Sequence, residues 1–177
     1  MYRFVAFLRG INVGGHTVTK QTLQTAFESL GFAHVSTFKQ SGNIVFESQT
    51  ADPEAIRTQI HDQLRQVLGY EVLVFLRTFA QLQEIVASDP FRGQEAEGSS
   101  FPVTFLGCKL PVFPLQLPLT IPKSTAQVIL ARETEVFSVT HGGGEGALPN
   151  TFLESKLKVK ATTRNFNVIR AIVEKNG

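Results

Sequence analysis

The chain has 177 residues, 42% of them apolar and 18% charged, with 15 Phe, two Tyr and no Trp. That balance favours a packed core over a disordered chain, and no apolar run approaches the roughly 18–20 residues that a membrane span needs. Net charge is only +2 but uneven: residues 1–20 carry +3, residues 151–177 carry +4 and the stretch between them −5, an asymmetry that suits an anionic partner.

The first 77 residues read clearly. YRFVAFL (2–8) is apolar on both faces, as a central strand should be. Thr19 can cap a helix whose apolar residues Leu23, Ala26, Phe27 and Leu30 share one face, and Gly31 suits its left-handed end. VSTFKQSGNIVFES reads as a hairpin around Gln40-Ser41-Gly42-Asn43. Asp52-Pro53 opens a second helix, with Ile56, Ile60, Leu64 and Leu68 on one face and Gly69 as its stop. EVLVFL (71–76) completes a βαββαβ order, the ferredoxin-like pattern.

The second half is less regular. TFAQLQEIVA (78–87) has helical spacing, SDPFRGQEAEGSS (88–100) is a polar loop, and FPVTFLG contains a short strand. Five of the eight prolines fall between Pro102 and Pro122, which forbids a long element there. QVILARETEVFSVTH predicts a hairpin around Glu133-Thr134, and HGGGEG (141–146) a loop. Asn150 can cap a helix to Leu157, and Thr162 or Thr163 a last one with Phe166, Ile169, Ile172 and Val173 buried. The expected fold is α+β, a ferredoxin-like (βαββαβ) N-terminal half (1–77) packed on a second α+β half (78–177) with a β-hairpin and two C-terminal helices.

Three motifs bear on function. RGINVGGHT fits the phosphate-binding pattern G-x-x-x-x-G-K-[ST] except that His16 replaces the lysine. The helix begins several residues too late, the strand order is antiparallel, and no strand ends in a metal-binding Asp; nucleotide hydrolysis is disfavoured. Glycines at positive φ can still turn backbone N–H groups toward an anion, with Arg9 as a side-chain partner. The competing reading is a turn that needs glycine for its own shape. The βαββαβ order places the end of strand 1 beside the start of strand 3, so this loop and Gln40-Ser41-Gly42-Asn43 meet at one end of the sheet. ATTRNFN (161–167) puts Arg164 and Asn165 at an expected helix N-terminus, where anions are favoured.

Other signals are weak. His16, His34, His61 and His141 have no metal-ligand spacing, and no nucleophile–base grouping stands out. No residue is an obvious nucleophile or base, and naming Lys20 or His16 would be a guess. A single cysteine excludes a disulfide framework, and Cys108 beside Lys109 is expected to be buried and inert. No cofactor or metal is expected. MYRFVAFLRG lacks the features of a signal peptide, so a cytoplasmic location is expected.

FLRGINVGG, FKQSGNIVF, DPF and LESKLKVKATTRNFNVI together resemble the mostly bacterial domain-of-unknown-function family 1697, over nearly the whole chain. The resemblance implies an α+β fold with a ferredoxin-like half and no established activity. It points to Arg9, Gly10, Asn12, Gly14 and Gly15, to Gln40, Ser41, Gly42 and Asn43, and to Thr162, Thr163, Arg164 and Asn165. Family members often carry a tryptophan where this chain has Phe166.

Two principal readings follow. One is a small-ligand or catalytic pocket for an anionic substrate, lined by the RGINVGG, QSGN and TTRN residues. The other is a nucleic-acid-binding module, since RNA-recognition domains share the βαββαβ order. It needs exposed aromatics on strands 1 and 3, and strand 3 offers only Phe46. A third, blander reading is a non-catalytic interaction protein; the sequence fixes no oligomeric state.

Overall fold

The computed structural model describes residues 1–39, 42–94, 96–142 and 149–177. The chain divides into two compact units, one spanning Met1–Gln83 together with Asn176, the other Glu84–Lys175 together with Gly177. Both are α+β, each with one antiparallel sheet.

The first unit contains β1 (Tyr2–Arg9), α1 (Lys20–Glu28), β2 (Ala33–Phe38), β3 (Asn43–Ser48), α2 (Pro53–Leu68) and β4 (Leu73–Thr78), in sheet order β2-β3-β1-β4. This is the ferredoxin-like arrangement expected from the sequence. Thr19 caps α1 by accepting from the amide of Thr22 at 3.1 Å. Asp52 caps α2 through the amides of Glu54 and Ala55, with Pro53 at the first helical position. Gly69 ends α2 at φ +80°. Strand alternation then sorts the sheet's side chains. Phe4, Ala6, Leu8, Ile44, Phe46 and Val74 join Leu23, Phe27, Ile56, Ile60 and Leu64 from the helices in one core. The opposite face carries Arg3, Val5, Phe7 and Arg9 on β1, Asn43, Val45 and Glu47 on β3, and Leu73, Phe75 and Arg77 on β4.

Helix α3 (Phe79–Ala87) follows β4. In the second unit come β5 (Pro102–Leu106), β6 (Leu119–Thr120), β7 (Ala126–Ala131), β8 (Glu135–Thr140), α4 (Pro149–Leu157), β9 (Ala161–Asn165) and all but the last residue of α5 (Phe166–Asn176). Sheet order is β6-β7-β8-β5-β9. The predicted β7–β8 hairpin is present. One face of this sheet, with Leu106, Ala126, Val128, Val136 and Ala161, packs against Leu153 of α4. The proline-rich segment supplies only the two-residue β6, while Leu110, Phe113, Leu117 and Leu119 lie against the same core.

Several expectations are corrected here. Residues 161–165 form an edge strand, because they pair with β5 in register from Leu106↔Ala161 to Pro102↔Asn165. Thr162 and Thr163 therefore cap nothing; Asn165 is the cap of α5, its side chain accepting from the amide of Asn167 at 3.0 Å. Asn165→Ala should cost about 1 kcal/mol of stability, the usual worth of such a cap, while Asn165→Asp should cost far less in urea unfolding. Asn150 sits inside α4 and is buried, with no hydrogen-bond partner for its Oδ1 among the described residues. The loop predicted over 88–100 is not wholly polar. Phe91 is buried in it, with ring contacts to Phe101, Phe137 and Phe166 at 5.0–5.9 Å. Residues 143–146 of HGGGEG lie outside the described residues.

Candidate functional site

The expected meeting of two loops in the first unit is built by strand register. Phe7 pairs with Asn43, and the amide of Leu8 donates to the carbonyl of Gly42 at 2.8 Å. Gly42 has φ +69°, and a Cβ there would lie 2.7 Å from Ile11 Cδ1 and 2.9 Å from Leu8 Cβ. Its glycine thus serves both the turn and the close approach of residues 8–11. Gln40 and Ser41, the other half of that motif, lie outside the described residues. Asn43 is buried, and its amide donates to the carbonyl of Phe38 at 3.0 Å. It braces its own hairpin and presents almost nothing to a ligand.

The first loop is held at both ends. Arg9 closes β1 opposite Leu73, half-buried, and Gly10 turns the chain out at φ +87°. Asn12 Oδ1 accepts from the amide of Val18 at 3.0 Å, closing residues 12–18 into one loop. The Tyr70 hydroxyl donates to the carbonyl of Ile11 at 2.6 Å, and the His16 ring stacks on Tyr70 with centroids 4.4 Å apart. Between these anchors, Val13 to His16 make a tight turn closed by a 3.2 Å bond from the His16 amide to the Val13 carbonyl. Its central residues, Gly14 at φ +63° and Gly15 at φ +83°, give it the form of a type I′ turn. Both are exposed, and their amides have no acceptor among the described residues. The glycines are therefore a conformational necessity, and the same conformation leaves two N–H donors unspent. Helix α1 starts at Lys20, five residues after Gly15, so the loop does not continue into a helix as a phosphate-binding P-loop does.

The third motif lies in the second unit, on β9. Strand alternation splits it. Thr163 faces the α4 side, and its hydroxyl lies 2.9 Å from that of Thr104. Thr162 and Arg164 point to the other face, where their β5 partners are Phe105 and Val103. Arg164 donates from one nitrogen to Thr162 Oγ1 and to the Thr163 carbonyl, each at 2.9 Å. Burial pulls its guanidinium pKa down to about 10, since desolvation penalises the charged form. At neutral pH it remains a cation, fixed to its own strand.

The remaining candidates resolve simply. Cys108 is exposed, contrary to expectation, because it lies in the turn after β5; Lys109 pairs with Glu133 at 2.8 Å. No group of three or more His, Cys, Asp or Glu residues that could hold a metal occurs among the described residues. Phe46 points into the helix-covered core, in contact with Phe4, Phe27 and Phe32. No helix among the described residues is long and apolar enough to cross a membrane. Sequence reasoning missed the bracing by Tyr70, for which only its place after the Gly69 stop gave a hint.

No curated protein gives a significant match to the chain. Among solved structures, it is similar to a conserved bacterial protein from Streptococcus pneumoniae, at 18% identity and a TM-score of 0.62, over 98% of this chain and 97% of that one. At that identity the likeness concerns the fold. The family model described as Protein of unknown function (DUF1697) matches residues 1–137, which takes in the braced loop and the hairpin it meets, and the chain belongs to that family.

Proposed function

We propose that the protein binds a small anionic ligand at the loop formed by residues 9–18. The observation that carries this reading is the pair of exposed, unspent amides at Gly14 and Gly15, presented on a loop tied down at Asn12 and Ile11. Pre-organised N–H donors favour an anion without paying to order the chain. Arg9 at the root of the loop and the +3 charge of residues 1–20 act in the same direction. Thr163, Arg164 and Asn165 are left out of this site, because each is already engaged within the second unit.

The nucleic-acid reading is not favoured. The face of β3 away from the helices offers Asn43, Val45 and Glu47, none of them a stacking residue, while Phe46 is turned inward.

Titration with sodium phosphate, followed by amide resonances, tests the proposal. Gly14 and Gly15 should shift saturably, with chloride at equal ionic strength as the control. Asn12→Ala, which releases the loop, should weaken binding about three- to tenfold, the worth of one net hydrogen bond. Shifts spread evenly over the surface, or equal with chloride, would sink the idea.

A further inference from the structure

A second feature of the first unit lies at the other end of β1. It is a cavity of about 210 Å³ lined by Arg3, His34, Val45, Phe46, Glu47 and Asn176. Arg3 and Arg9 are six positions apart along β1, about 20 Å of extended strand, so the cavity is distinct from the glycine loop.

Three observations define its chemistry. First, Glu47 is the direct cross-strand partner of Arg3, and its side chain is only 17% exposed. Both bonds from Arg3, from Nε at 3.2 Å and from a terminal nitrogen at 3.1 Å, go to Glu47 Oε1. Secondly, Arg3 is otherwise engaged: it donates to the Asn176 carbonyl, and its guanidinium lies 5.2 Å from the centre of the Phe79 ring. An incoming anion would find this cation already answered and would meet a carboxylate. Thirdly, Glu47 Oε2 takes no bond from Arg3 and faces His34 Nε2 at 4.0 Å, beyond hydrogen-bond reach. The His34 side chain is 77% exposed, and its backbone sits at φ +51°, inside the register shift between Ala33 and Ser36 of β2. A non-glycine residue at positive φ costs free energy, and such cost concentrates where a side chain must be aimed.

We propose that this cavity receives the primary ammonium group of a small amine. The ammonium donates one hydrogen bond to Glu47 Oε2 and a second to His34 Nε2, which accepts in its neutral form. Arg3 positions the carboxylate through Oε1 and leaves the other oxygen for the ligand. A carboxylate bridging a guanidinium and an ammonium gains two charge-assisted bonds in a partly shielded place.

The test uses the full chain and three salts at matched ionic strength: methylammonium chloride, tetramethylammonium chloride, which cannot donate, and sodium chloride. Methylammonium alone should give saturable shifts confined to the amides of residues 3, 34 and 45–47 and to the His34 ring. Glu47→Gln keeps the shape and removes the charge, and should weaken binding about tenfold or more. His34→Asn, which tolerates the same backbone, should weaken it about threefold to tenfold. Indistinguishable shifts with the three salts would overturn the proposal, as would unchanged affinity in Glu47→Gln. Should that variant fail to fold, unchanged affinity in His34→Asn overturns it alone.

Discussion

Gly42→Ala should lower the unfolding free energy by about 2–5 kcal/mol, read as a fall in the urea midpoint at unchanged slope. Two costs combine. The backbone at φ +69° penalises any L side chain by about 1–2 kcal/mol. The new Cβ also falls 2.7 Å from Ile11 and 2.9 Å from Leu8, both buried, and such overpacking costs about 1–3 kcal/mol. Gly31→Ala is the control, since Gly31 has φ +81° with nothing within 4 Å of an added Cβ. It bears the first cost alone, about 1–2 kcal/mol. Equal losses in the two variants would mean that residues 8–11 do not approach the hairpin as closely as described. Because the crowded atoms root the glycine loop, Gly42→Ala should also broaden or shift the Gly14 and Gly15 amides.

A larger loss is expected for Phe46→Ala, about 3–5 kcal/mol, the range for emptying a buried aromatic site. The ring is fully buried, and Phe32, Phe27 and Phe4 approach it with centroids at 4.5, 5.3 and 5.9 Å. Phe46→Leu should recover most of that loss. Were Phe46 instead an exposed platform for bases, truncation would leave stability within about 0.5 kcal/mol. Thermal or urea unfolding therefore also decides between a core residue and a stacking residue. A loss under about 1 kcal/mol would contradict the packing described.

The first unit was legible because its signals are local and agree with one another. Asp52-Pro53 and Gly69 bracket α2, Thr19 caps α1, and the apolar runs YRFVAFL and NIVF mark the two central strands. The meeting of the RGINVGG loop with Gly42-Asn43 followed from strand order alone. β4 starts two residues later than the run EVLVFL suggests, at Leu73, because Val72 is buried in the helix-covered core before the strand pairing begins. The ATTRN segment was misread for a definite reason. Threonine and asparagine serve both as helix caps and, in threonine's case, as strand residues, and only pairing with β5 decides between them. The DPF motif contains Phe91, but its burial is not legible in the sequence, because one aromatic in a run of polar residues has no period. The cavity at Arg3 and Glu47 joins residues 44 positions apart, with no local motif to announce it.

The alternation along β9 has a practical corollary for anyone altering this chain. Spacing, more than composition, is what residues 161–165 must preserve. Inserting one residue ahead of Ala161 would swap the roles of the odd and even positions, taking Thr163 from the Thr104 hydroxyl and turning Arg164 toward Leu153 and Val136. Inserting two would restore the faces and merely lengthen the connection from α4. Grafts, tags and loop extensions near Lys158–Lys160 should therefore come in even numbers.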